Sequence, residues 1–171
     1  MEGIKSKIKS KEKGMGIVFD ATAHIGCDTI LFAKIFPEFT IRACEIDKAV
    51  RELLVLNTSN YENVEVLPAN DSARVLRRSR SLNDLLDVLF IDPPWLNDRQ
   101  NLSFGGKSFA DFLLEEASEM ADCIVAKLPH DTDLQLYKSK LKDKNIITHE
   151  IRDNRTNKLS YYLLEIDSIE N

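Results

Sequence analysis

Long apolar runs are what this 171-residue chain most plainly lacks. None approaches the roughly 20 residues that a membrane-spanning helix needs. The first residues are rich in lysine rather than carrying the apolar stretch of a secretory signal. Cysteine is scarce as well. Cys27, Cys44 and Cys123 are an odd set with no C-x-x-C spacing, which argues against structural zinc and for a reducing, intracellular setting, cytoplasmic or nuclear. An excess of positive charge is also missing: 23 Lys and Arg against 28 Asp and Glu leave a net charge of −5. A wholly basic nucleic-acid-binding surface is therefore excluded, while a local basic patch stays open. There is no internal repeat, no linker and no sign of a second domain. What remains, 43% apolar and 30% charged residues, is the composition of one soluble domain long enough to bury a full core.

Within that composition, short apolar runs alternate with helical patterns. Gly16 to Asp20 read as a buried strand, Ala21 to Thr29 as a loop whose one glycine is Gly26, and Ile30 to Phe36 as a buried helix closed by Pro37. Strand, glycine-containing turn and helix make the first half of a Rossmann-like unit. Further strands are expected at Thr40 to Cys44, Asn63 to Leu67, Val88 to Ile91 and Asp122 to Leu128, the last broken by Pro129. Helices are expected around Ala49 to Leu56, Ala73 to Leu76, Phe109 to Met120 and Leu134 to Leu141. Ile146 to Ile151 and Leu159 to Ile166 flank a turn-rich segment and read as a terminal antiparallel hairpin. The expected fold is α/β, a doubly wound and mostly parallel sheet spanning residues 15–171. Residues 1–14, with lysine at 5, 7, 9, 11 and 13, form a flexible basic arm, either a solvated tail or a toucher of phosphates.

The chain is organised around Val88 to Trp95, where a run of β-formers ends in Asp92, Pro93, Pro94 and the single tryptophan, Trp95. Prolines cannot extend a central strand, so the chain leaves the sheet there, at the end where open α/β sheets place ligands. Such a turn suits methylation of a planar amino group. That nitrogen is a poor nucleophile because its lone pair is delocalised into the ring. Asp92 Oδ and the Pro93 carbonyl can each accept one amino hydrogen and favour a more pyramidal nitrogen, while Trp95 offers a face on which a base can stack. A plain strand exit with a half-buried tryptophan is the competing reading.

Acidic residues recur at the other strand ends. Asp20, with Gly26 letting a ligand approach the backbone, suits a nucleoside cofactor. Glu45 is placed to accept from ribose hydroxyls and Asp47 to cap the helix that follows. Asp71 is open between accepting an adenine amine and capping the next helix, whose Arg74, Arg77, Arg78 and Arg80 read as a solvated face. Leu96 to Lys107, with Gly105-Gly106, suits a mobile lid. Lys127 and His130 follow the fifth strand and can reach a substrate in the same crevice, although His130 is equally an ordinary loop residue.

This order of Asp20, Glu45, Asp71 and Asp92-Pro93-Pro94-Trp95 resembles the class I S-adenosylmethionine-dependent methyltransferases, whose sheet has seven strands with the last pair antiparallel. More closely, the chain resembles the RNA cap guanine-N2 methyltransferase (trimethylguanosine synthase) family and its relatives in large DNA viruses. Asp20 to Ile30 look like that family's cofactor loop, Glu45-Ile46-Asp47 fall at its ribose site with Asn57 also fitting, and Lys127 to Asp133 look like the stretch after its fifth strand. The resemblance implies S-adenosylmethionine bound by Asp20, Ala21, Thr22, His24, Gly26, Thr29, Glu45, Ile46, Asp71 and Asp92. It implies catalysis by Asp92, Pro93, Pro94 and Trp95, with substrate held by Trp95, Lys127 and His130 and with no metal. Capped RNA is the implied partner, and a protein partner aiding substrate recognition is left open. Departures are also visible. His24 and Cys27 stand where the family usually has glycine, Leu96-Asn97 replace two glycines after the tryptophan, and His130 replaces a basic residue. Adenine N6, cytosine N4, glutamine methylation and a catalytically inactive binding module remain the alternatives.

Overall fold

In the computed structural model, residues 16–81, 86–94 and 102–167 are described. The basic arm therefore lies outside the described residues, as do Trp95 and the segment 96–101. In chain order the elements are β1 (Ile17–Asp20), α1 (Cys27–Ile35), β2 (Thr40–Ala43), α2 (Lys48–Thr58), β3 (Val64–Val66), α3 (Ser72–Ser81) and β4 (Leu86–Ile91). There follow β5 (Ser103–Phe104), β6 (Lys107–Ser108), α4 (Phe109–Glu115), a 3-10 turn (Ala117–Glu119), β7 (Ala121–Pro129), α5 (Leu134–Lys140), β8 (Asn145–Arg152) and β9 (Leu159–Asp167).

Seven strands form one sheet in the order β3-β2-β1-β4-β7-β9-β8. The first five run parallel, and β9 lies antiparallel to both β7 and β8. This is the expected Rossmann-like arrangement with its terminal antiparallel hairpin. The chain winds outward from β1 through β2 to β3, then returns to place β4 on the other side of β1. Loops leaving β1 and β4 thus diverge, and a crevice opens between their carboxyl ends.

Side-chain alternation sorts the core into two layers. On one face Leu89 and Ile91 of β4 join Leu76 of α3, Phe109 and Phe112 of α4, and Tyr137 of α5. On the other, Val88 and Phe90 pack with Phe32 and Ala33 of α1, with Phe36 at its C-cap and with Val125 of β7. Phe19, Phe109, Phe112, Leu89 and Ile91 are fully buried, each contributing about 1.5–3 kcal/mol of burial free energy. Asn63, just ahead of β3, donates its amide to the carbonyls of Ala33, Phe36 and Phe39 at 3.2–3.3 Å, tying the end of α1 to the sheet edge.

Three expectations need correction. The first helix begins at Cys27 rather than Ile30, because Gly26 (φ 97°) turns the chain and its carbonyl accepts from Ile30 N–H at 2.9 Å. The expected polar loop 96–107 contains a small hairpin, β5–β6, whose turn is Gly105-Gly106 at φ 60° and 83°; two consecutive left-handed residues match the twist of paired strands. Pro129 does not break its strand but ends it, paired in register with Tyr161. Among the described residues no helix is long and apolar enough to cross a membrane.

Candidate functional site

A cavity of about 880 Å³ opens at the carboxyl ends of β1, β2 and β4. Its first wall is the β1–α1 loop, and the loop is built on Asp20. That carboxylate is fully buried; Oδ2 accepts from the Thr29 hydroxyl at 2.6 Å and Oδ1 from Thr22 N–H at 3.3 Å. Burial pushes its pKa from 3.8 up to about 7, the two threonine bonds oppose the rise, and the negative charges of Asp28 and Asp92 add to it. Asp20 does not line the cavity. It holds the loop from behind, which corrects its expected place in direct contact with a ligand.

Thr29 and Gly26 stand behind the loop with it. Gly26 is buried, and a Cβ there would lie 2.8 Å from Leu54 Cδ1, so the missing side chain makes room for α2 rather than for a ligand. His24 takes the left-handed backbone expected of glycine, at φ 48°. Ala21, Thr22 and His24 do line the cavity.

Glu45 forms the second wall. Its Oε1 accepts from Asp47 N–H at 2.8 Å and its Oε2 from His24 N–H at 3.0 Å. Each oxygen keeps a lone pair for a ligand hydroxyl. Ile46 beside it is 67% exposed and lines the rim, leaving an apolar face for a flat ring. Asp47 caps α2 through Ala49 and Val50 N–H, as expected. Asp71 lines the cavity and also caps α3, its Oδ1 accepting from Ala73 N–H at 2.9 Å. Asn57 stays behind the wall, where its amide donates to the Ile25 carbonyl at 2.8 Å.

The third wall is the end of β4. Asp92, Pro93 and Pro94 line the cavity. Asp92 N–H donates to Thr22 Oγ1 at 2.7 Å, which links this turn to the β1–α1 loop. Asp92 Oδ2 accepts from Lys127 Nζ at 2.7 Å. Burial raises the Asp92 pKa, Lys127 opposes the rise and Asp28 adds to it. Lys127, expected to contact substrate, lines the cavity but is engaged with Asp92 and sits 4.8 Å from the Tyr161 ring centre. His130 is exposed on the turn after β7 and does not line the cavity. Trp95 lies outside the described residues.

Ser103, Phe104 and Gly105, within the 96–107 stretch expected to cover a substrate, line the cavity; that they belong to a hairpin went unread, and paired glycines between β-forming residues were the available signal. Asp28 and Cys44 also line it, and nothing local marks either.

No family model matches the chain, and no curated protein matches its sequence. Solved structures match over most of its length. The N-terminal domain of human METTL16, solved in complex with SAH, superposes with a TM-score of 0.67 at 12% identity, over 99% of this chain and 68% of that one. A putative RNA methyltransferase from Pyrococcus horikoshii gives 0.60 at 14% identity, over 99% and 81%. The fibrillarin pre-rRNA processing protein of Methanococcus jannaschii gives 0.66 at 14% identity, over 91% and 67%. At these identities the likeness establishes a shared fold, the Rossmann-like α/β fold of these proteins.

Proposed function

We propose that this protein is an S-adenosylmethionine-dependent N-methyltransferase acting on an exocyclic amino group of RNA, with guanine N2 of an RNA cap as the acceptor implied by the sequence resemblance. The carrying observation is the convergence of Asp92 and Pro93 with the β1–α1 loop and Glu45 on one cavity of about 880 Å³. That volume suits a nucleoside with an acceptor base beside it. The lining also fits a cationic ligand, since Asp28, Glu45, Asp71 and Asp92 face Lys127 as the one described cation in it.

Glu45 would take the ribose hydroxyls, Ile46 would lie against the adenine, and Ala21, Thr22 and His24 would cradle the remainder. Bound there, the cofactor supplies an electrophilic methyl on a positively charged sulfur. The protein's part is orientation and electrostatics. With Oδ2 of Asp92 tied to Lys127, Oδ1 and the Pro93 carbonyl are left to accept the two amino hydrogens. The acceptor nitrogen sheds one proton to solvent after transfer, so no strong base is required. RNA as the substrate class draws support from the fold shared with a putative RNA methyltransferase and a pre-rRNA processing protein.

The test is radiolabelled methyl incorporation into capped RNA, uncapped RNA, DNA and a glutamine peptide, with calorimetry for cofactor binding. We expect label in capped RNA, lost in Asp92→Ala and in Trp95→Ala while cofactor still binds. Full activity of Asp92→Ala would refute the mechanism. Label in uncapped RNA or DNA instead would move the acceptor to adenine N6 or cytosine N4. Absence of any binding heat would leave an inactive module of this fold.

A further inference from the structure

We infer that Lys127 is a positioning residue, one that acts through Asp92 by fixing which carboxylate oxygen is offered to the acceptor. This inference rests on the methyl-transfer reading above. Its basis is strand register. β4 and β7 run parallel with Ile91 beside Ala126, so Asp92 and Lys127 are the next residues of neighbouring strands and emerge side by side. On this face of the sheet the alternation also carries Phe90 and Val125, and both line a second cavity of about 230 Å³ together with Lys127, its floor apolar and its rim carrying Asp28, His149 and Glu165.

Lys127 is therefore a wall shared by two cavities. Its ammonium reaches Asp92 Oδ2 at 2.7 Å on the crevice side and lies 4.8 Å from the centre of the Tyr161 ring. Phe32, Phe90, Val125 and Leu163 make the floor beneath it. Poor solvation on that side strengthens the ion pair and makes any other orientation of the ammonium costly. The backbone of Asp92 is held just as firmly, through its N–H to Thr22 Oγ1. Two anchors, one on the main chain and one on Oδ2, leave Oδ1 in a single orientation. Pre-organisation of that kind favours the reacting geometry rather than initial binding.

Among the described residues, the charged groups acting on Asp92 are Lys127 from β7 and Asp28 from α1, and Asp92 in turn acts on Asp20 of β1; Asp28 and Tyr161 of β9 act on Lys127, and His149 of β8 and Glu165 of β9 line the second cavity with it. Among the described residues Lys127 is the only one of opposite sign acting on Asp92, and its loss must raise the Asp92 pKa.

The experiment is a carbon-13 NMR titration of aspartate carboxyls in the full chain, with Asp92 assigned by Asp92→Asn, comparing wild type, Lys127→Met and Lys127→Arg. Methyl-transfer kinetics and thermal melts accompany it. In Lys127→Met we expect the Asp92 midpoint to rise and the acid limb of the pH–rate profile to move up with it. We expect kcat to fall by roughly tenfold or more, with the acceptor KM and cofactor affinity little changed. Lys127→Arg, which keeps the charge, should restore the midpoint and part of kcat. A purely structural role would instead lower the melting temperature and leave the midpoint in place. An unmoved midpoint in a folded Lys127→Met protein, or a wild-type kcat in that variant, overturns the inference. The titration needs no turnover, so the two readings fail separately. A shifted midpoint in an inactive wild type would support the pair and count against methyl transfer. An unshifted midpoint in an active enzyme would do the reverse.

Discussion

Asp20 gives this fold a pH dependence that can be worked out from its surroundings. The carboxylate is wholly buried and its pKa is raised from 3.8 to about 7, burial being the main cause. A folded-state value above the unfolded one means that the folded protein holds a proton the unfolded chain has released, throughout the window between about 4 and about 7. Stability from this group is therefore greatest at low pH and is lost as pH rises through that window, levelling off above 7. Each unit is about 1.4 kcal/mol, so wild type gives up about 3 kcal/mol between pH 5 and pH 8.5 on this account. Asp20→Asn cannot ionise and should keep that stability. The amide fits the same bonds, with its oxygen accepting from Thr22 N–H and its nitrogen donating to Thr29, whose hydroxyl can accept as well as donate. At roughly 2–4 °C per kcal/mol for a chain of this size, the melting-temperature gap between variant and wild type should widen by about 6–12 °C from pH 5 to pH 8.5. Thermal melts of the ligand-free protein at both pH values provide the assay. Comparing the two proteins cancels Glu116, whose lowered pKa acts in the opposite direction; Asp92, whose raised pKa acts in the same direction, is coupled to Asp20 and cancels only in part. Parallel stability profiles for the two proteins would refute the reasoning. They would mean that Asp20 keeps its charge in the fold and adds a full negative charge beneath the crevice.

Three further substitutions test how the crevice is held. Gly26→Ala places a methyl 2.8 Å from Leu54 Cδ1 at φ 97° and should cost about 2 kcal/mol or more, read by urea denaturation. Asn63→Ala strips three carbonyls at the end of α1 of their shared donor and should cost about 2 kcal/mol, with faster amide exchange at the α1 terminus. Arg77→Met removes the side chain that bonds Gly105 O at 2.8 Å and Glu116 at 2.7 Å. It should raise hydrogen exchange in residues 103–108 while β1 and β4 stay protected.

The sheet was legible because its strands are short apolar runs bounded by acids, glycines or prolines, a local pattern. β4 is the clearest case: Leu89 and Ile91 face one layer and Val88 and Phe90 the other, so the run had to be apolar throughout. The hairpin at Ser103 to Ser108 was harder, since two-residue strands are too short to show alternation, and only Gly105-Gly106 signalled it. The Asp47 cap follows from its neighbours in sequence. The pairing of Asp92 with Lys127 does not, because 35 residues separate them and only the placement of β7 beside β4 brings them together. The same holds for Asp20. A strand-end carboxylate looks alike in sequence whether it faces a ligand or supports the loop from behind, and burial alone distinguishes the two.

His24 shows how such a loop survives with one glycine fewer. A non-glycine residue in the left-handed region costs about 1–2 kcal/mol, although histidine is among the residues that tolerate it better. Here the same conformation presents His24 N–H to Glu45 Oε2 at 3.0 Å. A hydrogen bond to a charged acceptor contributes about 1.5–3 kcal/mol when shielded and less at the surface, so the strain and the bond are of comparable size. The backbone shape at residue 24 is then fixed from both sides, by the buried Asp20–Thr29 contact behind and by Glu45 in front. Cys27 differs in kind. It is not among the positive-φ residues and begins α1 with its thiol exposed on the cavity wall. A side chain at residue 24 is therefore first a question of backbone conformation, whereas one at residue 27 is a question of room alone. Both line the cavity, so any effect of this loop on what the crevice admits should come from His24 and Cys27 together.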